Sequence, residues 1–268
     1  MNAILSAAIV ITTLTSLFLV VRYRNMRLSG ATPIPLVTFM AILFTSGLDV
    51  GLIMFPMVDF KMFAAESAYA FANPLAIEFG FWGFLVWGFY FLTTFYFCVV
   101  EPRLKLFEIP FIKLINNLTI VGTCAFTGYL FLHYLPDYIE GIRDPVPFTL
   151  VAATVLVAVI SSTQIRFVKI LSLISSALFF TLIAGAFLAS EMGGAGLLTS
   201  ATLLAGYFGQ LDRFVLPVND YHAFYLFWWF AWSIMIGQFV SRFVSGISTW
   251  QLLVLLLVVP SIPIALWF

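Results

Sequence analysis

Long runs of apolar residues are the feature that most constrains how this chain folds. Each is close to or above the roughly 18–20 residues that a helix needs to cross a bilayer. We place these spans at residues 3–21, 34–58, 76–99, 116–135, 146–163, 170–190, 222–240 and 250–268. Their Leu, Ile and Phe residues do not alternate with polar residues as the strands of a membrane barrel do. The sequence therefore predicts an all-α integral membrane protein, embedded in the lipid bilayer, with about eight transmembrane helices.

Charged residues are few and unevenly placed. They make up 9% of the 268 residues, and no basic block is present, which argues against nucleic acid as a partner. If successive spans alternate in direction, nine Lys and Arg residues lie in the loops of one face and three on the other. The positive-inside rule then predicts a multi-pass protein with its N-terminus on the non-cytoplasmic side. The first span has no basic leader or clear cleavage site, so we expect it to be retained.

An aromatic stretch in the seventh span is the most unusual local feature. Trp228, Trp229 and Trp232 fall within five residues of one another. Spacings of i, i+3 and i, i+4 place the three indoles on one broad face of a helix. Such a face can hold a quaternary ammonium group by cation–π attraction.

The second span contains a short glycine-rich interruption, Ser46 to Gly51. It has two interpretations: an unwound segment of the kind that binds substrates and ions in transporters, or a small-residue face for close helix packing. Asp49 favours the first, because a carboxylate inside a membrane serves as an ion ligand, a proton carrier or a counter-charge. Pro56 predicts a kink near the outer end of the span.

Other polar and aromatic residues have a structural interpretation as well as a functional one. Trp87 and Tyr90 share a helix face, although residues of this kind near a helix end more often form an interfacial belt. Thr123 and Thr127 offer two hydroxyls to a cation, or bond back to their own helix. We expect Glu78, His133 and His222 at the outer surface, and Cys98 and Cys124 in the core. With no nucleophile–base set and no phosphate loop, the sequence predicts neither an enzyme nor a bound cofactor or metal.

The chain resembles the betaine/choline/carnitine transporter family, and the resemblance is most specific in the aromatic stretch. There the matches to the family's signature helix are Trp228, Trp229, Trp232, Ser233, Gly237, Phe239, Arg242 and Gly246, whereas Leu226 and Ile234 depart from it. Further matches occur in the family's order at Arg24–Leu28, Ser46–Gly51, Trp82-Gly83, Trp87, Tyr90, Thr123, Thr127 and Lys169–Ser172. Asp49 stands where the family usually has glycine, and Asp59 replaces a glutamate.

The resemblance implies a site for a quaternary-ammonium solute such as glycine betaine, choline or carnitine. It assigns the aromatic box to Trp82, Trp87, Tyr90 and Trp229, with Trp232 and Phe224 lining the path beside it and Trp228 as a further candidate. It also implies coupling to Na⁺ or H⁺, for which the candidate positions are Asp49, Gly47, Gly51, Thr123 and Thr127.

The family plan further implies two five-helix inverted repeats, of which this chain would hold a partial set. On that plan it starts at the second helix and stops inside the ninth. The expected divisions are an N-terminal helix and loop (1–33), the first repeat (34–192), an outer interfacial segment (193–221) and an incomplete second repeat (222–268). We therefore expect other membrane protein chains to complete or cover the last helix. Two functions follow: a transporter or half of one, or a degenerate transporter-fold subunit with a structural role in a larger membrane complex.

Overall fold

A computed structural model describes residues 2–48, 50–142, 145–190 and 192–268. In chain order its α-helices and strands are Asn2–Arg22 (α1), Arg27–Ser29 (β1), Leu36–Ser46 (α2), Val50–Met54 (α3), Pro56–Ala65 (α4), Pro74–Trp82 (α5), Phe89–Val99 (α6), Glu101–Leu104 (α7), Pro110–Tyr138 (α8), Pro145–Ser162 (α9), Ile165–Ala189 (α10), Gly194–Ala205 (α11), Leu211–Val215 (α12), Asp220–Ser241 (α13), Ser245–Ser248 (β2), Thr249–Val258 (α14) and Ser261–Trp267 (α15). Short 3₁₀ turns cover Ser67–Tyr69, Phe84–Gly88, Leu106–Glu108 and Gly206–Gln210.

The predicted all-α integral membrane fold is confirmed. In the described part of the chain, seven helical segments are long and apolar enough to cross a membrane, and β1 and β2 form only a small ribbon. The remaining predicted span, residues 34–58, is divided among α2, α3 and the start of α4. The predicted span count therefore holds if these three helices make one broken crossing.

Three predicted spans are interrupted. The helix stops at Ser46 and resumes at Val50, as the glycine-rich stretch predicts, and it breaks again where Pro56 begins α4. The second interruption follows α5, where a 3₁₀ turn begins at Phe84 with φ 45°. The third separates α14 from α15 at Val259 and Pro260. The sequence analysis predicted only the first of these interruptions.

The buried core lies where α5 and α6 pack against α13. The Thr93 hydroxyl on α6 donates a 2.7 Å hydrogen bond to the Ser233 carbonyl on α13, which fixes the two helices relative to each other. Buried aromatic and aliphatic side chains from α2, α5, α6, α13 and α14 surround this contact.

Helices α8, α9 and α10 lie outside this core with most of their apolar side chains exposed. Phe179 of α10 packs on Phe44 of α2 at 5.3 Å between ring centroids, and α9 packs on α8 and α10. The prediction that both cysteines are core residues is wrong for Cys124, which is exposed on α8. An apolar pattern marks lipid-facing and core-facing positions alike, so it does not separate them in a membrane protein.

A small antiparallel ribbon joins two loops that are far apart in sequence. Arg27–Ser29 pairs with Ser245–Ser248, and the Gly30 amide extends the pairing by donating to the Val244 carbonyl at 2.8 Å. The loop after α1 and the loop after α13 are thereby held on the same end of the helix array.

Candidate functional site

The interruption after α5 frees two backbone carbonyls, and two tryptophans use them. The Trp229 indole N–H donates to the Phe81 carbonyl at 2.8 Å, and the Trp87 indole N–H donates to the Trp82 carbonyl at 2.9 Å. Buried carbonyls at a helix end require partners, and the indoles supply them. The orientation of both rings is therefore set by the break in the helix.

Four aromatic side chains, Trp82, Trp87, Tyr90 and Trp229, meet here, and we call them the aromatic cluster. The ring centroids of Trp87, Tyr90 and Trp229 are each 5.5 Å from one another, and Trp229 lies 6.2 Å from Trp82. All four side chains are buried. These are contact distances for aromatic pairs, so the four rings touch and do not enclose a space among themselves.

An open space lies beside the aromatic cluster. This aromatic cavity has a volume of about 150 Å³. It is lined by Ser46, Gly47, Leu48, Trp82, Tyr90, Thr127, Trp228, Trp229 and Trp232. Five of the seven predicted substrate-binding residues are among them, and no described lining residue is charged. A protein cavity of about 150 Å³ accommodates benzene, which is larger than a trimethylammonium group.

The other two predicted residues lie next to this space. Trp87 is fully buried behind the cavity, in contact with Tyr90 and Trp229. Phe224 lines a second, much smaller cavity that shares Trp82, Thr127 and Trp228 with the first. The seven residues therefore form one continuous aromatic region, with Phe224 at one end and Trp87 at the back.

Gly47 and Gly51, two of the predicted ion-coupling positions, pack directly on tryptophans of the cluster. A β-carbon at Gly47 would overlap the Trp87 indole ring, and one at Gly51 would lie 3.0 Å from Cη2 of Trp82. The stretch from Ser46 to Gly51 therefore both interrupts the helix and allows close packing, and a role in binding substrate or ions stays a prediction. Asp49, the third position in this stretch, lies outside the described residues.

Thr123 and Thr127, the remaining ion-coupling candidates, bond to their own helix. Their hydroxyls donate to the carbonyls of Thr119 and Thr123 at 2.8 and 3.1 Å. Thr127 also lines both cavities, whereas Thr123 lines neither. An ion-coupling role for this pair stays a prediction.

A buried polar group beside Trp82 was missed by the sequence analysis. Glu78 and His222 are fully buried, so the prediction that they lie at the surface is wrong. His222 stacks on Phe81 at 4.5 Å, and Tyr225 lies 5.2 Å from Trp82. The signal for Glu78 was its carboxylate within an otherwise apolar segment, a placement that marks functional residues in membrane proteins.

Comparison with known proteins gives one short similarity. No protein-family model matches the chain. Uncharacterized transporters of Mycobacterium bovis and of two Mycobacterium tuberculosis strains are each 30% identical to it over 74 residues. The match covers 24% of this chain and 12% of each relative. The chain is thus a multi-pass membrane protein that is similar, over a limited stretch, to proteins named as transporters rather than as enzymes.

Proposed function

We propose that this chain is a secondary transporter of the betaine/choline/carnitine type, or part of one, and that it binds a quaternary-ammonium solute in the aromatic cavity. The observation that carries the proposal is the composition of the cavity wall. Trp82, Trp228, Trp229, Trp232 and Tyr90 line it, and no charged side chain among the described lining residues competes for the ligand.

This wall suits a cation that carries methyl groups instead of N–H donors. Such a cation is weakly hydrated and needs no hydrogen-bond acceptor, so aromatic faces stabilise it through their quadrupoles. Each desolvated contact is worth on the order of 2 kcal/mol, and two or three of them give a dissociation constant of about 1 mM or tighter. The interrupted helices around the cavity are the arrangement in which transporters hold their substrates.

Binding is tested by calorimetry and tryptophan fluorescence on the purified chain in lipid nanodiscs, with glycine betaine, choline and carnitine as ligands. Choline is compared with dimethylbutanol, its uncharged carbon isostere. We expect a response to at least one cationic ligand and a much weaker response to the isostere, because only the cation gains the electrostatic part of the interaction.

Two variants and a control locate the site. Trp228→Leu and Trp232→Leu keep apolar volume but remove a ring from the wall, and each should weaken binding roughly tenfold, the equivalent of about 1.4 kcal/mol. Phe227→Leu removes a ring on the same helix at a position that is 59% exposed, and it should bind like the unmodified chain. Equal responses to choline and dimethylbutanol, or no response to any ligand, would contradict the proposal.

The direct contacts within the aromatic cluster favour a second candidate. Rings that touch one another at 5.5 Å are also what a purely structural core requires. On this alternative the chain is a membrane subunit that keeps the transporter scaffold without transport. The folded chain would then bind none of the three ligands, and calorimetry distinguishes this result from the binding that the first proposal expects.

A further inference from the structure

Glu78 is a carboxylic acid buried without a well-formed hydrogen bond. It lies on α5, its side chain has no solvent exposure, and neither carboxylate oxygen forms a hydrogen bond of good geometry within the described part of the chain, although the Trp82 indole N–H lies close by. An ionised carboxylate in such a position costs several kcal/mol unless a counter-charge or donors compensate for it. The group therefore needs a proton or a cation.

The surroundings of Glu78 connect it to a second buried acid. Phe81 and Trp82, one turn further along α5, pack against Tyr225 of α13 at 5.0 and 5.2 Å between ring centroids. The Tyr225 hydroxyl also donates a 3.2 Å hydrogen bond to Asp59 of α4, and α4 packs directly on α5. Glu78 thus lies one helical turn from the residues that join α5 to α4 and α13.

Asp59 differs from Glu78 in having its hydrogen bonds satisfied. It is 5% exposed, and its oxygens accept from the Tyr221 hydroxyl at 3.0 and 3.1 Å and from the Tyr225 hydroxyl at 3.2 Å. Hydrogen bonds donated to a carboxylate favour its ionised form. Of the two acids, Asp59 is therefore the one whose hydrogen bonds favour the ionised carboxylate.

Among the residues that the structure describes, no buried cation on the elements packed around α5 balances the second charge. The titratable residues on the elements packed around α5 are Asp59, Lys61, Tyr69, Tyr207, Asp212, Arg213, Asp220, Tyr221, His222 and Tyr225. Of these, Lys61, Asp212, Arg213 and Asp220 are exposed. The His222 ring accepts the Val218 amide through Nδ1 at 3.2 Å, so a neutral ring carries its hydrogen on Nε2. With a second buried acid on the adjoining α4, Glu78 is most stable when it is protonated.

We propose that Glu78 and Asp59 form a proton-binding pair in which Glu78 carries an exchangeable proton and releases it when a cationic solute enters the aromatic cavity. On release, the O–H bond of Glu78 breaks, the electron pair stays on the carboxylate, and the proton passes to water on one side of the membrane. A proton needs no cavity of its own, and neither cavity beside the aromatic cluster has Glu78 in its lining.

The link to the cavity runs through Trp82. This residue lines the cavity and follows Glu78 by one helical turn, a rise of about 6 Å along the axis. A positive charge held against the Trp82 ring in this low-dielectric interior stabilises a carboxylate on the preceding helical turn. Ligand binding and proton release are therefore coupled, and each favours the other by the same factor. This step rests on the proposed function, whereas the protonation of Glu78 does not.

The coupling is tested by calorimetry of choline binding in buffers of different ionisation enthalpy. We expect the release of about one proton per ligand, and an affinity that rises by up to about tenfold per pH unit over the range in which Glu78 loses its proton. Glu78→Gln should abolish the release and flatten the pH dependence. Glu66→Gln alters an exposed acid and should behave like the unmodified chain.

Infrared spectroscopy tests the protonated acid independently of any ligand. The carbonyl stretch of a protonated carboxylic acid should be present at neutral pH, persist in Glu66→Gln and vanish in Glu78→Gln. If choline binds without proton release, the coupling is overturned while the proposed function stands. If choline does not bind, the proposed function fails and the infrared band alone decides on the proton. Binding that needs Na⁺, with no infrared band, would overturn the proposal and assign a metal cation to the pair.

Discussion

The shape of the aromatic site depends on a glycine, Gly47. Gly47 lies against the indole ring of Trp87, and that ring cannot move away because its N–H is bonded to the Trp82 carbonyl at 2.9 Å. Any added atom at position 47 must therefore displace backbone or break this hydrogen bond. The hydrogen bond to the end of α5 fixes the Trp87 ring, and the fixed ring leaves room only for a glycine at the end of α2.

Gly47→Ala should therefore be strongly destabilising. Overpacking of a tight interior typically costs about 1–3 kcal/mol, and the loss of a buried hydrogen bond adds to it. Gly122→Ala is the matched control, since a β-carbon there has nothing within 4 Å. Thermal unfolding in detergent measures both. Equal melting temperatures for the two variants would show that the Trp87 ring is free to move.

At the residue scale, the aromatic spacing is visible in the sequence, whereas the burial of the acids is not. The spacing of Trp228, Trp229 and Trp232 identifies residues that do line one cavity. The burial of Glu78 is not encoded locally, because it depends on the packing of α5 against helices that include α11 and α13, which lie more than a hundred residues further along the chain. Only this tertiary packing removes the carboxylate from solvent.

Among the helices, the contact between α6 and α13 holds the site together. The Thr93 hydroxyl makes the cross-helix hydrogen bond at its centre, and the same oxygen lies 3.1 Å from the Tyr90 carbonyl of its own helix, which can share the hydroxyl hydrogen. Tyr90 and Trp229 project from these two helices into the cavity wall. A shift of α6 against α13 would therefore change the separation of two rings that face the ligand.

Thr93→Val tests this contact, since valine has the same shape without the hydroxyl. Interhelical hydrogen bonds in membrane proteins are worth about 0.6 kcal/mol on average and up to about 1.7. We expect a loss of stability in that range, together with weaker choline binding. Thr119→Val is the control, because its hydroxyl bonds only the Ile115 carbonyl of its own helix at 2.9 Å. A stability loss no larger than that of the control would assign the contact to packing alone.

Helix existence was predictable from hydropathy, but only one of the three interruptions was predicted, although Pro260 marks the third as Pro56 marks part of the first. The break at Ser46 to Val50 and the one at Pro56 carry glycine and proline signals. The 3₁₀ turn at Phe84–Gly88 has a weaker signal, the single Gly83 before it. It is stabilised by distant partners: the Phe84 amide donates to the Ser261 hydroxyl at 2.6 Å and the Leu85 amide to the Tyr207 hydroxyl at 3.3 Å.

For the molecule as a whole, two long-range contacts restrict how the chain is threaded through the membrane. The β1–β2 ribbon places the loops after α1 and after α13 on one side. The Asn2 side chain donates to the Asp220 carboxylate at 3.3 Å, which places the start of α1 beside the start of α13. Both contacts require an odd number of crossings between α1 and α13, and the number is five if α2, α3 and α4 together make one crossing.

The sidedness stays a prediction: the uneven distribution of Lys and Arg predicts a non-cytoplasmic start of α1. Single cysteines at Asn2→Cys, Ser67→Cys and Leu104→Cys, in a background carrying Cys98→Ala and Cys124→Ala, should report it through a membrane-impermeant maleimide. All three positions are exposed. We expect labelling of positions 2 and 67 in intact cells and of position 104 only after lysis. Labelling of 2 without 67 would show that α2 to α4 do not cross, because the two positions are separated by α1 and that segment alone.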